Sequence, residues 1–410
     1  MMKYKTFITL FFLFATYSCF SQGEIVPAAE RTEEYVPLLK NKRVGLFANQ
    51  TSVVKETHLL DTLITLGVNV VKIFGPEHGF RGKAADGQKI ENFTDPETGI
   101  PVISLYGSHH KPNTEDLKDV DVLLFDIQDV GTRFYTYISS LQYFMEAAFE
   151  NSKPLMILDR PNPNGFYVDG PVLDTNFKSF VGMQPVPIVY GMTIGEYAMM
   201  IAGEKWLSEK ANKKYSYYLG AQNSPDTSFH FLVIKNVNYD HNSKYVLPVK
   251  PSPNLPSIQS IYCYPSTCFF EGTSISEGRG TDEPFATFGH PALSKDLFSF
   301  TPHSTEGAPN PKFKDQKCYG WNLSGSPEEV LRKTRRQIQL KWLIDAYCLF
   351  PDKKSFFLNN NHFNRLAGND ILMQQIKKGL SEEQIRKSWE PDLSNFKMIR
   401  KKYLMYDDFE

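Results

Sequence analysis

Two acidic residues of this sequence lie in segments that suit cleavage of a glycosidic bond. Glu77 stands in GPEHGFRG, where proline and glycines predict a turn that brings the backbone close to a ligand. Glu277 stands in a glycine-rich loop, residues 271–285, which carries four carboxylates and one arginine. Two carboxylates facing each other across a cleft are the usual apparatus for this reaction. We therefore expect Glu77 and Glu277 to be catalytic, with Glu77 as the general acid because the rings of Phe74 and Phe80 would favour its protonated form.

Further polar residues follow four of the strands that the sequence predicts. In open α/β sheets, ligands bind beyond the carboxyl ends of the strands, so amides, carboxylates and guanidinium groups at these ends would meet a ligand. Two more candidates come from the second half of the chain. The candidate binding residues are Asn49, Gln50, His78, Arg81, Asp126, Asp129, Arg133, Tyr135, Asp159, Arg160, Asn162, Asn254 and Arg279.

The elements that position these residues alternate along the first half of the chain. The predicted strands are residues 43–48, 68–74, 101–105, 120–125 and 154–158, and the predicted helices are 58–66 and 135–151. Strands that are apolar on both faces and alternate with helices form a parallel sheet that is covered on both sides. We therefore predict an α/β protein whose residues 30–205 form a Rossmann-like domain.

The second half has a different pattern. Residues 215–238 alternate in the manner of a strand, and residues 327–347 have helical spacing. A capping box at Ser381–Gln384 predicts the start of another helix. We expect residues 206–410 to form a smaller α+β domain.

Several classes of protein are disfavoured. Lys and Arg number 45 and Asp and Glu number 46, so the chain lacks the basic excess of a nucleic-acid-binding protein. No strand-exit loop carries a glycine-rich phosphate-binding motif, which argues against a nucleotide cofactor. His109 and His110 are adjacent, which is poor geometry for chelating one ion, and no HExxH helix occurs. We expect no cofactor and no metal.

The first residues of the sequence have the features of a secretory signal peptide. Lys3 and Lys5 precede an apolar run at residues 7–15, which is too short for a membrane span of about 20 residues. We expect residues 1–22 to be a signal peptide and the protein to be exported to the periplasm. Lipidation at Cys19 is the alternative and would anchor the protein to a membrane. No later run of about 18 apolar residues occurs, so we expect no transmembrane span.

Export also permits disulfide bonds. Cys263 and Cys268 are close enough in sequence to close a small loop, and we note this pairing as a possibility for the exported chain.

The motifs GPEHGFRG, DIQDVGTRFYTY, DRPNPNG, SPNLPS and EGTSISEGRGTDEPF resemble those of an exported bacterial family, the exo-β-N-acetylmuramidases of peptidoglycan breakdown. The resemblance extends from Val44 to Tyr406. It implies a Rossmann-like domain with a smaller C-terminal domain. It also implies that the partner is a peptidoglycan fragment, from which terminal N-acetylmuramic acid is released.

That substrate agrees with the candidate residues. N-acetylmuramic acid carries a lactyl carboxylate, which a guanidinium group binds with two hydrogen bonds. We expect Arg133 to be this group, with Arg279, Arg160 or Arg81 as the alternatives. The amides at 49, 50, 162 and 254 would read hydroxyl and acetamido groups, and the tyrosines at 135 and 137 would stack on the sugar.

Other interpretations remain open. Glu77 would pair with Arg81, and residues 271–285 would form a solvated acidic loop, if neither were catalytic. Arg133 would then pair with Asp126 or Asp129 in a structural network. The alternative functions are a non-catalytic periplasmic protein that binds sugars or muropeptides, and a metal-dependent hydrolase or deacetylase. The residues do not decide between retention, inversion and substrate-assisted catalysis.

Overall fold

The computed structural model describes residues 23–77, 79–80, 91–220 and 229–410. Its strands are Arg43–Ala48 (β1), Val53–Val54 (β2), Thr57–His58 (β3), Asn69–Gly75 (β4), Phe93–Thr94 (β5), Pro101–Ser104 (β6), Val122–Asp126 (β7), Leu155–Leu158 (β8), Phe231–Ile234 (β9), Thr287–His290 (β10), Phe298–Phe300 (β11) and Cys318–Asn322 (β12). The signal peptide and Cys19, which the sequence predicts, lie outside the described residues.

Helices cover both faces of the sheet and also occur throughout the second half of the chain. They are Thr32–Leu39 (α1), Leu59–Thr65 (α2), Thr114–Leu117 (α3), Tyr137–Glu150 (α4), Ile194–Gly203 (α5), Glu209–Gly220 (α6), Ile258–Thr267 (α7), Pro327–Thr334 (α8), Leu340–Leu349 (α9), His362–Ala367 (α10), Ile371–Lys377 (α11) and Glu382–Lys401 (α12). Short 3₁₀ segments occur at Ala28–Glu30, Thr175–Phe177 and Cys268–Gly272.

The central sheet has seven strands in the order β5-β6-β4-β1-β7-β8-β9. All neighbours are parallel except β5, which runs antiparallel to β6 at one edge. In β1 every residue after Arg43 is buried, as expected for a strand with helices on both faces. The predicted α/β class with a mostly parallel sheet is confirmed.

Aromatic packing fixes α4 against one face of this sheet. Phe47 of β1 stacks on Phe125 of β7, with ring centroids 4.9 Å apart. Phe144 of α4 packs edge-on against Phe47 at 4.9 Å and against Phe74 of β4 at 5.5 Å. These contacts fix the position of α4 relative to the carboxyl ends of β4 and β7, where the site lies.

The second half contains a three-stranded antiparallel sheet, β10-β12-β11, and the helices from α7 onward. The capping box predicted at Ser381 is present, since Ser381 and Gln384 exchange hydrogen bonds at the start of α12. The helix predicted over residues 327–347 is instead two helices. Arg335 and Arg336 adopt left-handed φ values of 54° and 53°, which end α8 before α9 begins.

The strand predicted over residues 215–238 is wrong in its first part. Residues 209–220 form α6, so only the later part of the segment 215–238 contains a strand, β9. That strand pairs with β8, and the parallel sheet therefore continues past residue 205, where the sequence suggested a boundary.

The pairing of Cys263 with Cys268 is also wrong, because both thiols are free and buried. Cys263 lies on α7 and Cys268 follows that helix. A spacing of five residues on a helix directs the two side chains about 140° apart, which does not allow a disulfide. In the described part of the chain, no helix is long and apolar enough to cross a membrane.

Candidate active site

A cavity of about 320 Å³ lies at the carboxyl ends of the parallel strands, where the second half of the chain covers the sheet edge. Among the described residues, its ionisable lining residues other than tyrosine are Glu77, Glu271, Arg279 and His362, and its aromatic lining residues are Tyr106, Phe134, Tyr135, Tyr137, Phe180, Tyr264 and Phe285. A cavity of this size with a few converging polar groups among aromatic rings is typical of a small-molecule site.

Glu77 reaches this cavity from the turn that follows β4, as the sequence predicts. The turn is closed by a hydrogen bond of 2.9 Å from the Gly79 amide to the Pro76 carbonyl, and Gly79 has a φ of 75° that favours glycine. The Thr136 hydroxyl donates to Glu77 Oε2 at 3.4 Å. Burial, together with the charge of Glu77, raises the pKa of Tyr137, which lines the same cavity.

Glu271 is a second carboxylate in the cavity lining, and it is not among the residues predicted from the sequence. Arg279 Nη2 donates to its Oε1 at 2.7 Å, and His362 Nε2 lies 3.5 Å from its Oε2. Burial alone would raise the pKa of Glu271, but the charges and hydrogen bonds of Arg279 and His362 outweigh burial and lower it to about 2. Glu271 is therefore an anion at neutral pH and does not serve as a proton donor.

One signal in the sequence pointed to Glu271. It follows the run CYPSTCFF, whose cysteines and phenylalanines are buried, so the chain emerges from the core at this carboxylate. His362 had no comparable signal, since it opens α10 about 90 residues later in the chain.

Glu277, the expected partner of Glu77, is absent from the cavity lining formed by the described residues. Its carboxylate is buried and lies 3.0 Å from Lys312 Nζ and 3.4 Å from Arg279 Nε. The reason is local: the loop turns Glu277 toward the core of the second half, whereas Arg279, two residues later, reaches the cavity. Glu277 thus contacts Arg279 from outside the cavity lining.

Lys312 holds the same loop through its backbone. Its ammonium donates to the carbonyls of Phe270, Thr273 and Ile275 at 2.8, 3.0 and 3.0 Å. Together with its ion pair to Glu277, these bonds fix the segment that presents Glu271 and Arg279 to the cavity.

Arg133 does not reach the cavity, contrary to the expectation that it binds the ligand. It is fully buried, and its guanidinium donates to the carbonyls of Pro171, Val186 and Leu366 at 2.9, 2.7 and 2.9 Å. Burial lowers the pKa of Arg133 to about 9. Because Leu366 lies on α10, Arg133 ties the sheet domain to the helix that begins at His362.

Asp126 and Arg160 form a buried pair with each other. Arg160 Nε and Nη2 donate to the two carboxylate oxygens of Asp126 at 2.6 and 2.7 Å, and Nη2 also donates to the Val53 carbonyl at 3.0 Å. Neither side chain belongs to the cavity lining, so both serve the structure of the strand ends.

Asp129 and Asp159 are likewise buried and bonded within the protein. Asp129 accepts from the Tyr190 hydroxyl and the Gly131 amide, and burial raises its pKa to about 6. Asp159 accepts from the Tyr406 hydroxyl at 2.6 Å, and burial raises its pKa to about 7. Neither carboxylate lines the cavity.

Of the four predicted amides, one lines the cavity, one bonds to a lining residue and two lie outside the lining. Asn254 lines the cavity and donates to the Gly307 carbonyl at 2.9 Å. Asn49 is buried and donates to the Tyr137 hydroxyl at 2.9 Å, so it supports a lining residue. Asn162 donates to the Met192 carbonyl at 2.7 Å, away from the lining, and Gln50 also lies outside it.

The predicted tyrosine reaches the cavity. Tyr135 lines it and donates to the Pro251 carbonyl at 2.7 Å. His78 and Arg81, also predicted as binding residues, lie outside the described residues. No group of three or more His, Cys, Asp or Glu among the described residues could hold a metal ion.

The comparison with known sequence families decides the family. The model of the N-terminal domain of the exo-beta-N-acetylmuramidase NamZ matches residues 44–259, and that of its C-terminal domain matches residues 262–406. The chain belongs to the NamZ family. The division between the two family domains falls about 55 residues beyond the boundary that the sequence suggested, after the last strand of the parallel sheet.

Individual members of the NamZ family are similar over nearly the whole chain. The peptidoglycan beta-N-acetylmuramidase NamZ of Bacillus subtilis (strain 168) is 37% identical over 390 residues, which cover 91% of this chain and 89% of that protein. A crystal structure of a DUF1343 family protein from Bacteroides fragilis NCTC 9343 is 44% identical, with a TM-score of 0.81 over 94% of this chain and all of that one. A second DUF1343 protein from that strain is 28% identical, with a TM-score of 0.77 over 93% and 99% of the two chains.

Proposed function

We propose that the protein is an exo-acting β-N-acetylmuramidase that releases terminal N-acetylmuramic acid from peptidoglycan fragments. One observation carries the proposal: a single cavity is lined by two carboxylates, Glu77 and Glu271, and by the guanidinium of Arg279. The first two supply the chemistry of glycosidic cleavage, and the third supplies a partner for the lactyl carboxylate. The named activity of the similar Bacillus subtilis protein supports the same substrate.

Glu77 acts as the general acid in this proposal. It protonates the oxygen of the leaving group as the glycosidic bond breaks, and the Thr136 hydroxyl and the turn at Gly79 orient its carboxyl group. Tyr137 lines the same cavity as Glu77 and is held there by a hydrogen bond from Asn49.

Glu271 acts as the anionic carboxylate. Because Arg279 and His362 keep it ionised, it stabilises the positive charge that develops on the sugar ring in the oxocarbenium-like transition state. The same ion pairs prevent it from competing with Glu77 for the proton. The two carboxylates therefore differ in their environments, as the division between acid and anion requires.

Arg279 provides selectivity for the muramic acid. N-acetylmuramic acid and N-acetylglucosamine differ in the lactyl ether, so a selective site must recognise its carboxylate. Among the described residues, Arg279 is the arginine that lines the cavity. Arg133 and Arg160 instead donate hydrogen bonds to groups outside the lining. Its guanidinium lies 5.2 Å from the centre of the Phe285 ring, which limits its orientation.

The test uses the purified protein and the disaccharide in which N-acetylmuramic acid is linked to N-acetylglucosamine. We expect the two free sugars as products, hydrolysis of 4-nitrophenyl β-N-acetylmuraminide but not of the matching glucosaminide, and no loss of activity in EDTA. Binding of the disaccharide without cleavage would instead indicate a sugar-binding protein. Loss of activity in EDTA that zinc restores would indicate a metal-dependent hydrolase.

We also propose that the protein acts outside the cytoplasm, after removal of residues 1–22. The basic start and the short apolar run of the sequence support this proposal. The intact mass of the protein from its host should correspond to a chain without these residues. A mass that includes acyl chains on Cys19 would establish the anchored form instead.

A further inference from the structure

We propose that a second cavity beside the first binds the leaving group, the neutral sugar to which the terminal N-acetylmuramic acid is attached. The proposal rests on the proposed function and names the part of the substrate that the first cavity does not hold. The second cavity has a volume of about 620 Å³. Ser252 and Asn254 line both cavities, so the two are neighbours across this short segment.

The segment between the cavities is fixed from both halves of the chain. The Tyr135 hydroxyl donates to the Pro251 carbonyl at 2.7 Å, and Gln50 Nε2 donates to the same carbonyl at 3.1 Å. From the other side, Asn254 Nδ2 donates to the Gly307 carbonyl at 2.9 Å. A rigid wall at this position suits the place where the glycosidic bond passes from one sugar site to the next.

The two cavities differ in their lining. Seven aromatic residues line the first cavity, and none of the described residues that line the second is aromatic. The first is thus suited to enclose one sugar ring, while the second presents mainly polar side chains and backbone to a ligand. An exo-acting enzyme needs this combination, because the terminal sugar enters a closed site and the remainder of the substrate extends away from it.

The cations of the two linings differ in how they bind a carboxylate. The second lining includes Lys250 with the carboxylates Asp282 and Glu306, and the first includes Arg279 with Glu77 and Glu271. A guanidinium group binds a carboxylate with two hydrogen bonds in a fixed geometry, whereas an ammonium group is a point charge. This difference favours the lactyl carboxylate of the muramic acid in the first cavity and leaves the second for the neutral N-acetylglucosamine.

The test fills the second cavity with a large side chain and compares two substrates. Glu306 is exposed and lines the second cavity only, so Glu306→Trp should occupy it without disturbing the fold. We expect the KM for the disaccharide to rise roughly tenfold, which corresponds to about 1.4 kcal/mol of lost binding. The kcat/KM for 4-nitrophenyl β-N-acetylmuraminide, whose leaving group is smaller, should change by less than about twofold. Asp282→Trp, on the same lining, should have the same effect.

The matched control is Glu390→Trp, an exposed position on α12 outside both linings, which should leave both substrates unaffected. An equal loss on the two substrates, or no loss on either from both cavity variants, would overturn the assignment of the second cavity. If the wild-type protein cleaved neither substrate, the proposed function itself would fail, and this outcome is distinct from the other two.

Discussion

Arg279 and Glu271 form an ion pair of 2.7 Å in the wall of the cavity that Glu77 also lines. The pair keeps the Glu271 carboxylate ionised and holds the guanidinium at the cavity surface. Two residues outside the cavity lining support the pair. Glu277 lies 3.4 Å from Arg279 Nε, and Lys312 donates to backbone carbonyls of the loop. The glycine-rich loop therefore presents both groups to the cavity, and in the proposed function they serve as the anion and as the recognition group.

The first prediction concerns this guanidinium. Arg279→Lys keeps the charge but loses the planar fork that binds a carboxylate with two hydrogen bonds. We expect the KM for 4-nitrophenyl β-N-acetylmuraminide to rise by about 10-fold or more, since a hydrogen bond to a charged group contributes about 1.5–3 kcal/mol. Unchanged steady-state kinetics would move the recognition of the lactyl group to another residue.

The second prediction separates Arg133 from that role. Arg133→Lys removes buried hydrogen bonds to carbonyls of Pro171, Val186 and Leu366, so we expect the free energy of unfolding to fall by about 1–3 kcal/mol. The preference for the muraminide over the glucosaminide should be retained. Urea denaturation measures the stability, and the two chromogenic substrates measure the preference. A loss of preference with unchanged stability would indicate that Arg133 does bind the lactyl carboxylate.

The third prediction concerns the ion pair behind the loop. Lys312→Met leaves the buried Glu277 carboxylate without its ammonium partner and removes one donor from each of three backbone carbonyls. Breaking such a pair costs about 3–5 kcal/mol of the free energy of unfolding. The double variant Lys312→Met with Glu277→Gln should recover part of that loss in urea denaturation. If the second substitution recovered nothing, the two residues would not be coupled.

The fourth prediction follows from buried carboxyl groups. Burial raises the pKa of Asp159 to about 7, well above the ordinary value of 3.8. Between about pH 4 and pH 7 the folded state then keeps a proton that the unfolded state has released, so the free energy of unfolding falls as the pH rises through this window. The loss amounts to about 4 kcal/mol at most, at about 1.4 kcal/mol per pKa unit.

Asp129, whose pKa burial raises to about 6, adds a loss of the same sign. Asp159→Asn should therefore flatten the decline in stability, measured by urea denaturation at several values between pH 4 and pH 8. A decline as steep in the variant as in the wild type would show that Asp159 is ionised in the folded protein at pH 5.

The sequence was sufficient to predict the parallel sheet and the edge of the sheet at which the cavity lies. Apolar runs such as residues 43–48 and 120–125 are buried on both faces, and such runs are typical of a parallel sheet with helices on both sides. Glu77 was predictable for a related reason, because a turn of proline and glycine directly after a buried strand lies at the carboxyl edge of the sheet.

The identities of the other functional residues depended on contacts that sequence spacing does not contain. Arg133 follows a strand, but its Nη1 and Nη2 donate to carbonyls 38, 53 and 233 positions away in the chain. Glu277 and Glu271 lie in one loop, and Lys312 determines which of them faces the cavity. The disulfide failed for a local reason, since Cys263 lies on a helix.

The central claim, that Glu77 donates the proton in glycosidic cleavage, is tested most directly by Glu77→Gln on two substrates. We predict that kcat/KM for the disaccharide of N-acetylmuramic acid and N-acetylglucosamine falls by about 10²–10⁴-fold, the usual effect of losing a positioned acid. For 4-nitrophenyl β-N-acetylmuraminide, whose leaving group needs little protonation, the loss in kcat/KM should be much smaller. Near-full activity on the disaccharide, or an equal loss on both substrates, would contradict the account.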